Sequence, residues 1–163
     1  MAALAALLVL IVRAPVPRAG KEAARGHRVF PVARHAVQGL DVALRDRHFA
    51  ARRTAGAWEL DGRTASPHAV AALDDLVEAL VALRAVDVFR SRDAGSYGLD
   101  RPEGTVTVHT ARGARRVVLG GLNAAGSALY AQRVGDPRVL LVGTLLLTEI
   151  ERVFYARDGA AGG

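Results

Sequence analysis

The 163-residue chain contains no cysteine. Disulfides, thiolate zinc sites, iron–sulfur clusters and cysteine nucleophiles are excluded together. Lysine is nearly absent as well, Lys21 being the only one, so the basic side chains are almost all arginine. GC-rich coding accounts for that bias as readily as arginine chemistry does, and it carries no functional weight here. No unbroken apolar run reaches the roughly 20 residues that a secure membrane span requires.

Catalytic signatures are missing too. Ala94-Gly95-Ser96-Tyr97-Gly98 departs from a nucleophile elbow by its first alanine, and Leu99-Asp100-Arg101-Pro102 forbids the helix that must follow the serine. Gly120-Gly121 and Gly126 lack the Lys-Ser/Thr of a phosphate loop and precede a strand, so they read as a hairpin loop. The histidines, His27, His35, His48, His68 and His109, show no metal-ligand spacing, and His109 alternates with valines on a strand as a solvent-facing residue. Asp74, Asp75 and Glu78 share the polar side of a helix, where acid–base work would need burial. They read as a solvated face. No catalytic residue, cofactor or metal is implied.

The net charge of +6 suggests nucleic acid until it is located along the chain. Residues 1–34 carry Arg13, Arg18, Lys21, Arg25, Arg28 and Arg34 against Glu22 alone, a local charge of +5. The remaining residues carry sixteen basic and fifteen acidic side chains. A phosphate-binding protein concentrates its excess charge on the folded body, so no nucleic-acid partner is expected.

What the sequence does hold begins with AALAALLVLIV, Ala2 to Val12, followed by Pro15, Pro17 and the basic residues. As a helix it measures roughly 16 Å, about half a hydrocarbon core. Its length suits a signal-peptide core, yet no basic residue precedes it and no clean small-residue cleavage site follows. A start upstream of Met1 would supply both the missing basic residues and a longer anchor. The expectation is an N-terminal anchor or signal over residues 1–27, touching the membrane through residues 1–12 and the flank Arg13, Arg18, Lys21, Arg25 and Arg28. Read literally, the positive-inside rule puts that flank in the cytoplasm.

A single domain is expected over residues 28–158, with a flexible tail at 159–163. Gly39 to Arg45 alternates as a half-buried strand, and Phe49 to Arg53 and Trp58 to Leu60 continue a meander. Ser66-Pro67 starts a helix whose apolar positions Leu73, Leu76, Val77 and Leu80 recur at helical spacing. Thr105 to Leu119 folds as a hairpin about Arg112-Gly113, Ser127 to Val142 as another about Gly135-Asp136-Pro137, and Leu145 to Val153 closes as a helix. The predicted class is α+β, antiparallel sheet with helices on one face. Two similar strand-strand-strand-helix halves are suggested.

The central stretch joins Trp58-Glu59-Leu60, the capped helix, Tyr97-Gly98-Leu99-Asp100-Arg101-Pro102, a strand pair ending Leu119-Gly120, and Tyr130. This order resembles the bacterial family called domain of unknown function 4340, in which a W-x-L strand end, a helix and a Y-G-L-x-x-P turn follow one another. The resemblance spans about residues 28–158. It implies an extracytoplasmic accessory or scaffold domain on an N-terminal membrane helix, partnered with ABC-type transporter subunits, and no established activity. The residues it singles out are Trp58, Tyr97, Gly98, Leu99, Asp100, Pro102, Gly120 and Tyr130. Gly98 is suited to a positive φ and Pro102 to fixing the exit, so a structural corner explains the motif without a ligand. An enzyme with an unrecognised site, or a small-ligand binding module, is the alternative.

Overall fold

Alternating apolar residues build most of the molecule. A computed structural model describes residues 27–159. The apolar run, the flank as far as Arg25 and the end of the tail lie outside the described residues. Among the described residues no helix is long and apolar enough to cross a membrane.

Among the described residues nine strands form one sheet: β1 (Val37–Leu44), β2 (Arg47–Thr54), β3 (Ala57–Leu60), β4 (Arg63–Thr64), β5 (Ala85–Arg90), β6 (Gly104–Thr110), β7 (Gly113–Leu122), β8 (Ala128–Arg133) and β9 (Arg138–Gly143). Helix α1 (Pro67–Ala82) follows β4 and α2 (Leu145–Gly159) follows β9. Across the sheet the order is β4-β3-β2-β1-β6-β7-β8-β9-β5, with every pairing antiparallel. Thus β1 and β6 meet at the centre, and each opens a four-strand meander running outward and followed by one helix. The protein is α+β, as expected, although each run has four strands rather than three.

Local chemistry accounts for the elements. Ser66 caps α1, its Oγ accepting the Ala69 amide at 3.2 Å, and Pro67 fills the first helical position. Leu73, Leu76, Val77 and Leu80 are buried as their spacing predicts. Phe49 and Arg53, four apart and therefore on one side of β2, reach different helices. Phe49 packs edge-on against Phe154 of α2 at 5.3 Å, and Arg53 binds Asp74 of α1 at 2.8 Å. The main core also takes in Leu40, Val42, Val106, Leu119, Leu140 and Ile150.

The closing helix runs six residues past Val153. Asp158 belongs to its last turn and binds Arg47 at 2.9 Å. Gly120 and Gly121 lie within β7, at the irregularity where its pairing with β8 shifts register, rather than in a hairpin loop. Strand β5 has no counterpart in the sequence reading. It lies at the far edge from β4, so α1 carries the chain from one edge of the sheet to the other. Residues 91–103 must then return past β9, β8 and β7 to begin β6 beside β1.

Candidate functional site

That return segment contains the Tyr97 to Pro102 motif. It starts with a 3-10 turn, Gly95–Tyr97, whose end is set by Gly98 at φ 68°, a conformation that side chains disfavour. Asp93 organises the approach, accepting hydrogen bonds from the Ser96 amide at 3.3 Å and from its hydroxyl. These bonds hold the Asp93 carboxyl below its usual range.

At Gly98 the segment passes directly over β7. A Cβ on Gly120 would fall 2.2 Å from the Tyr97 carbonyl oxygen, and one on Gly98 2.9 Å from the Gly121 amide nitrogen. Two backbones therefore cross with no room for a side chain at either point. Gly98 and Gly120 are two sides of one contact, although 22 positions separate them in the sequence.

Around the crossing, Tyr97 stacks edge-on with Tyr130 of β8 at 4.7 Å and with Phe89 of β5 at 5.3 Å, all three half-buried. Leu99, Ala128 and Val139 are buried yet stand apart from the main core. Val139 and Leu140, adjacent on β9 and so pointing to opposite faces, are both covered. A second, smaller core thus lies under the return segment. Asp100 and Pro102 stay exposed, with an Asp100 oxygen accepting the Arg101 amide at 2.9 Å.

Trp58 is elsewhere. It is 3% exposed within the main core, donates its indole N–H to Asp74 at 3.0 Å and lies beneath the Arg53 guanidinium at 4.6 Å. The eight singled-out residues therefore divide. Tyr97, Gly98, Leu99, Gly120 and Tyr130 come together, Asp100 and Pro102 flank them, and Trp58 serves the helix layer. Phe89 was missed, because it sits in the unassigned β5.

Two readings of charged groups need correcting. Asp74 is not a solvated carboxylate, since Trp58 and Arg53 both donate to it; Asp75 pairs with Arg152 at 3.0 Å and Glu78 with Arg34 at 3.6 Å. His109 does not simply face solvent: its Nε2 meets Asp41 at 2.6 Å, and Arg52 closes on the same carboxylate at 2.6 Å. Partial burial raises the Asp41 carboxyl, but bonding to His109 and Arg52 outweighs it and the net shift is downward.

A cavity of about 530 Å³ lies between the β3–β4 turn, the start of α1 and the end of α2, where Arg157 approaches Asp61 at 3.6 Å. No cluster of three metal-ligating side chains occurs among the described residues.

Among the described residues, an all-antiparallel sheet with two helices, crossed by a motif-bearing return segment, defines the class of domain. Over residues 26–153 the chain matches the family described as "Domain of unknown function (DUF4340)", and it belongs to that family. No curated protein and no solved structure matches it.

Proposed function

We propose that the protein is a non-enzymatic, membrane-associated accessory or scaffold domain that works outside the cytoplasm beside an ABC-type transport system. The half-buried aromatic patch of Phe89, Tyr97 and Tyr130 carries the reading. Aromatic residues that keep one edge in water suit contact with another protein, and the glycine crossing holds this patch on rigid backbone. The apolar run from Ala2 to Val12 and its basic flank support the membrane tether.

In this reading both helices lie on the sheet face bearing Leu40 and Val42, and the opposite face is free for a partner wherever the return segment leaves it open. The two four-strand runs and their helices are copies of one unit, related about the β1–β6 pair.

Purification of the full chain from native membranes tests the proposal. The expected result is retention after a high-salt and carbonate wash, with transporter subunits in the eluate, and loss of those subunits in Tyr97→Ser/Tyr130→Ser with the chain still in the membrane. Release by the wash would remove the tether. Subunit recovery unaffected by the double substitution would remove the patch.

A further inference from the structure

A second feature stands apart from the aromatic patch. Where β7 runs beyond the end of β8, a groove of about 350 Å³ opens. Pairing of the two strands begins at Val117↔Arg133, and the Val134 amide donates to the Arg116 carbonyl at 3.0 Å just beyond it. Arg115, Arg116 and Arg133 line the groove with Val29 and Val117, and no carboxylate lines it. Arg115 and Arg133 stand on the sheet face of Val117 and Arg116 on the opposite one, so the arginines flank the open edge of β7 from both sides.

The arginines on either side of this edge are poorly neutralised. Arg115 and Arg116 form no ion pair among the described residues, and Arg116 Nε donates only to the Thr107 hydroxyl at 3.2 Å. Arg133 stands 3.6 Å from Asp136, but that carboxylate is engaged by Arg138 at 2.7 Å. Arg133 Nε is buried with no acceptor. A buried donor left without an acceptor is costly. The His27 imidazole, against Arg133, feels the same field: burial first, then Arg133 and Arg138, hold its proton affinity down.

The groove is also where the N-terminal chain enters the domain. Val29 lines it and His27 touches its wall. Upstream in the sequence come Arg25, Lys21, Arg18 and Arg13, then the apolar run. The chain between Arg13 and His27 reaches at most about 50 Å when extended, so whatever holds the run keeps the groove close at hand.

We propose that this arginine groove receives the phosphate of an anionic phospholipid headgroup, so that this side of the domain faces the bilayer. The proposal deepens the membrane reading above and rests on it for proximity. Guanidinium groups match phosphate oxygens with paired N–H donors. Each arginine drawn to an anionic surface strengthens adsorption roughly fivefold, and salt screens the effect.

The experiment partitions the full chain between buffer and vesicles of phosphatidylcholine, with and without phosphatidylglycerol. The quantity read is the ratio of the two partition constants. Arg115→Gln/Arg116→Gln is compared with Arg63→Gln/Arg101→Gln, a charge-matched pair of exposed residues outside the groove, and equal thermal melting establishes that both fold. The expected result is a roughly 25-fold fall in the ratio for the groove pair, little change for the control, and convergence of all three proteins at high salt. Equal falls in both variants would mean diffuse charge and overturn the groove.

Strong partitioning into neutral vesicles with no groove dependence would leave the tether standing and sink this proposal. Groove-dependent binding to anionic vesicles alone, without neutral partitioning, would do the reverse. Inorganic phosphate at matched ionic strength supplies a further arm. If it displaces the chain from the vesicles, the groove is a soluble-phosphate site; if it leaves adsorption intact, the lipid is the ligand. Tighter groove-dependent binding to a DNA duplex than to the anionic vesicles would also overturn the assignment.

Discussion

Gly120 and Gly121 are adjacent and chemically identical, yet the fold treats them differently. A methyl on Gly120 meets a carbonyl oxygen at 2.2 Å, whereas on Gly121 the nearest atom is the same oxygen at 3.9 Å. Gly120→Ala is expected to cost about 2–3 kcal/mol in urea unfolding, the range of an overpacked contact that backbone must yield to. Gly121→Ala should stay within about 0.5 kcal/mol. Near-equal losses would mean that the crossing is looser than described. Trp58 makes a second residue-scale case. Trp58→Phe keeps most of the buried ring but removes the N–H that Asp74 accepts, at a cost of about 2 kcal/mol by chemical denaturation. Far-UV circular dichroism is the probe to use, because Trp58 is the only tryptophan.

Among the elements, α2 is the one whose extent matters most. The family match ends at residue 153, but Phe154, fully buried against Phe49, lies one position beyond it. Phe154→Ala should cost about 3–5 kcal/mol by denaturant titration. The β8–β9 turn gives an acid-dependence prediction. Chiefly through its bonds from Arg138, Asp136 is held well below the usual carboxylate range, and Asp41 is lowered too. Groups with depressed folded-state values stabilise fully above their unfolded values and lose that contribution as pH falls through the folded ones. Melting temperature should therefore drop below about pH 4, with a shallower decline below about pH 6.5 from His27. Asp136→Asn should flatten the acid limb. These elements also show what was legible in advance. The strands of both meanders apart from the two-residue β4, the Ser66-Pro67 helix start and the positive φ of Gly98 all follow from short-range patterns of periodicity and turn chemistry. Strand β5 escaped because it follows α1 almost at once, with no turn signal, and its alternation through Val86 and Val88 is too short to separate from a helix end. The Gly98–Gly120 crossing, the Asp41–His109–Arg52 contact and the arginine groove escaped for another reason. Each joins segments distant in the sequence, and strand order is not written in local spacing.

At the scale of the whole molecule, the near-neutral charge of the body conceals an uneven distribution. Carboxylates are mostly engaged by arginines, as Asp136 is by Arg138 and Asp41 by Arg52, while Arg115 and Arg116 stay unpaired among the described residues. Net charge by segment therefore averages over a local cluster of arginines such as the groove. The sheet order has a last consequence, in time rather than in space. Each meander closes through neighbouring strands, but the seam between them pairs Val37 with Thr110 and Leu44 with Gly104, residues 60 to 73 positions apart. Bringing such distant partners together consumes loop entropy before any contact rewards it. Refolding is therefore expected on the millisecond-to-second timescale of β-rich domains, with closure of the central seam as the slow event joining two halves that assemble quickly.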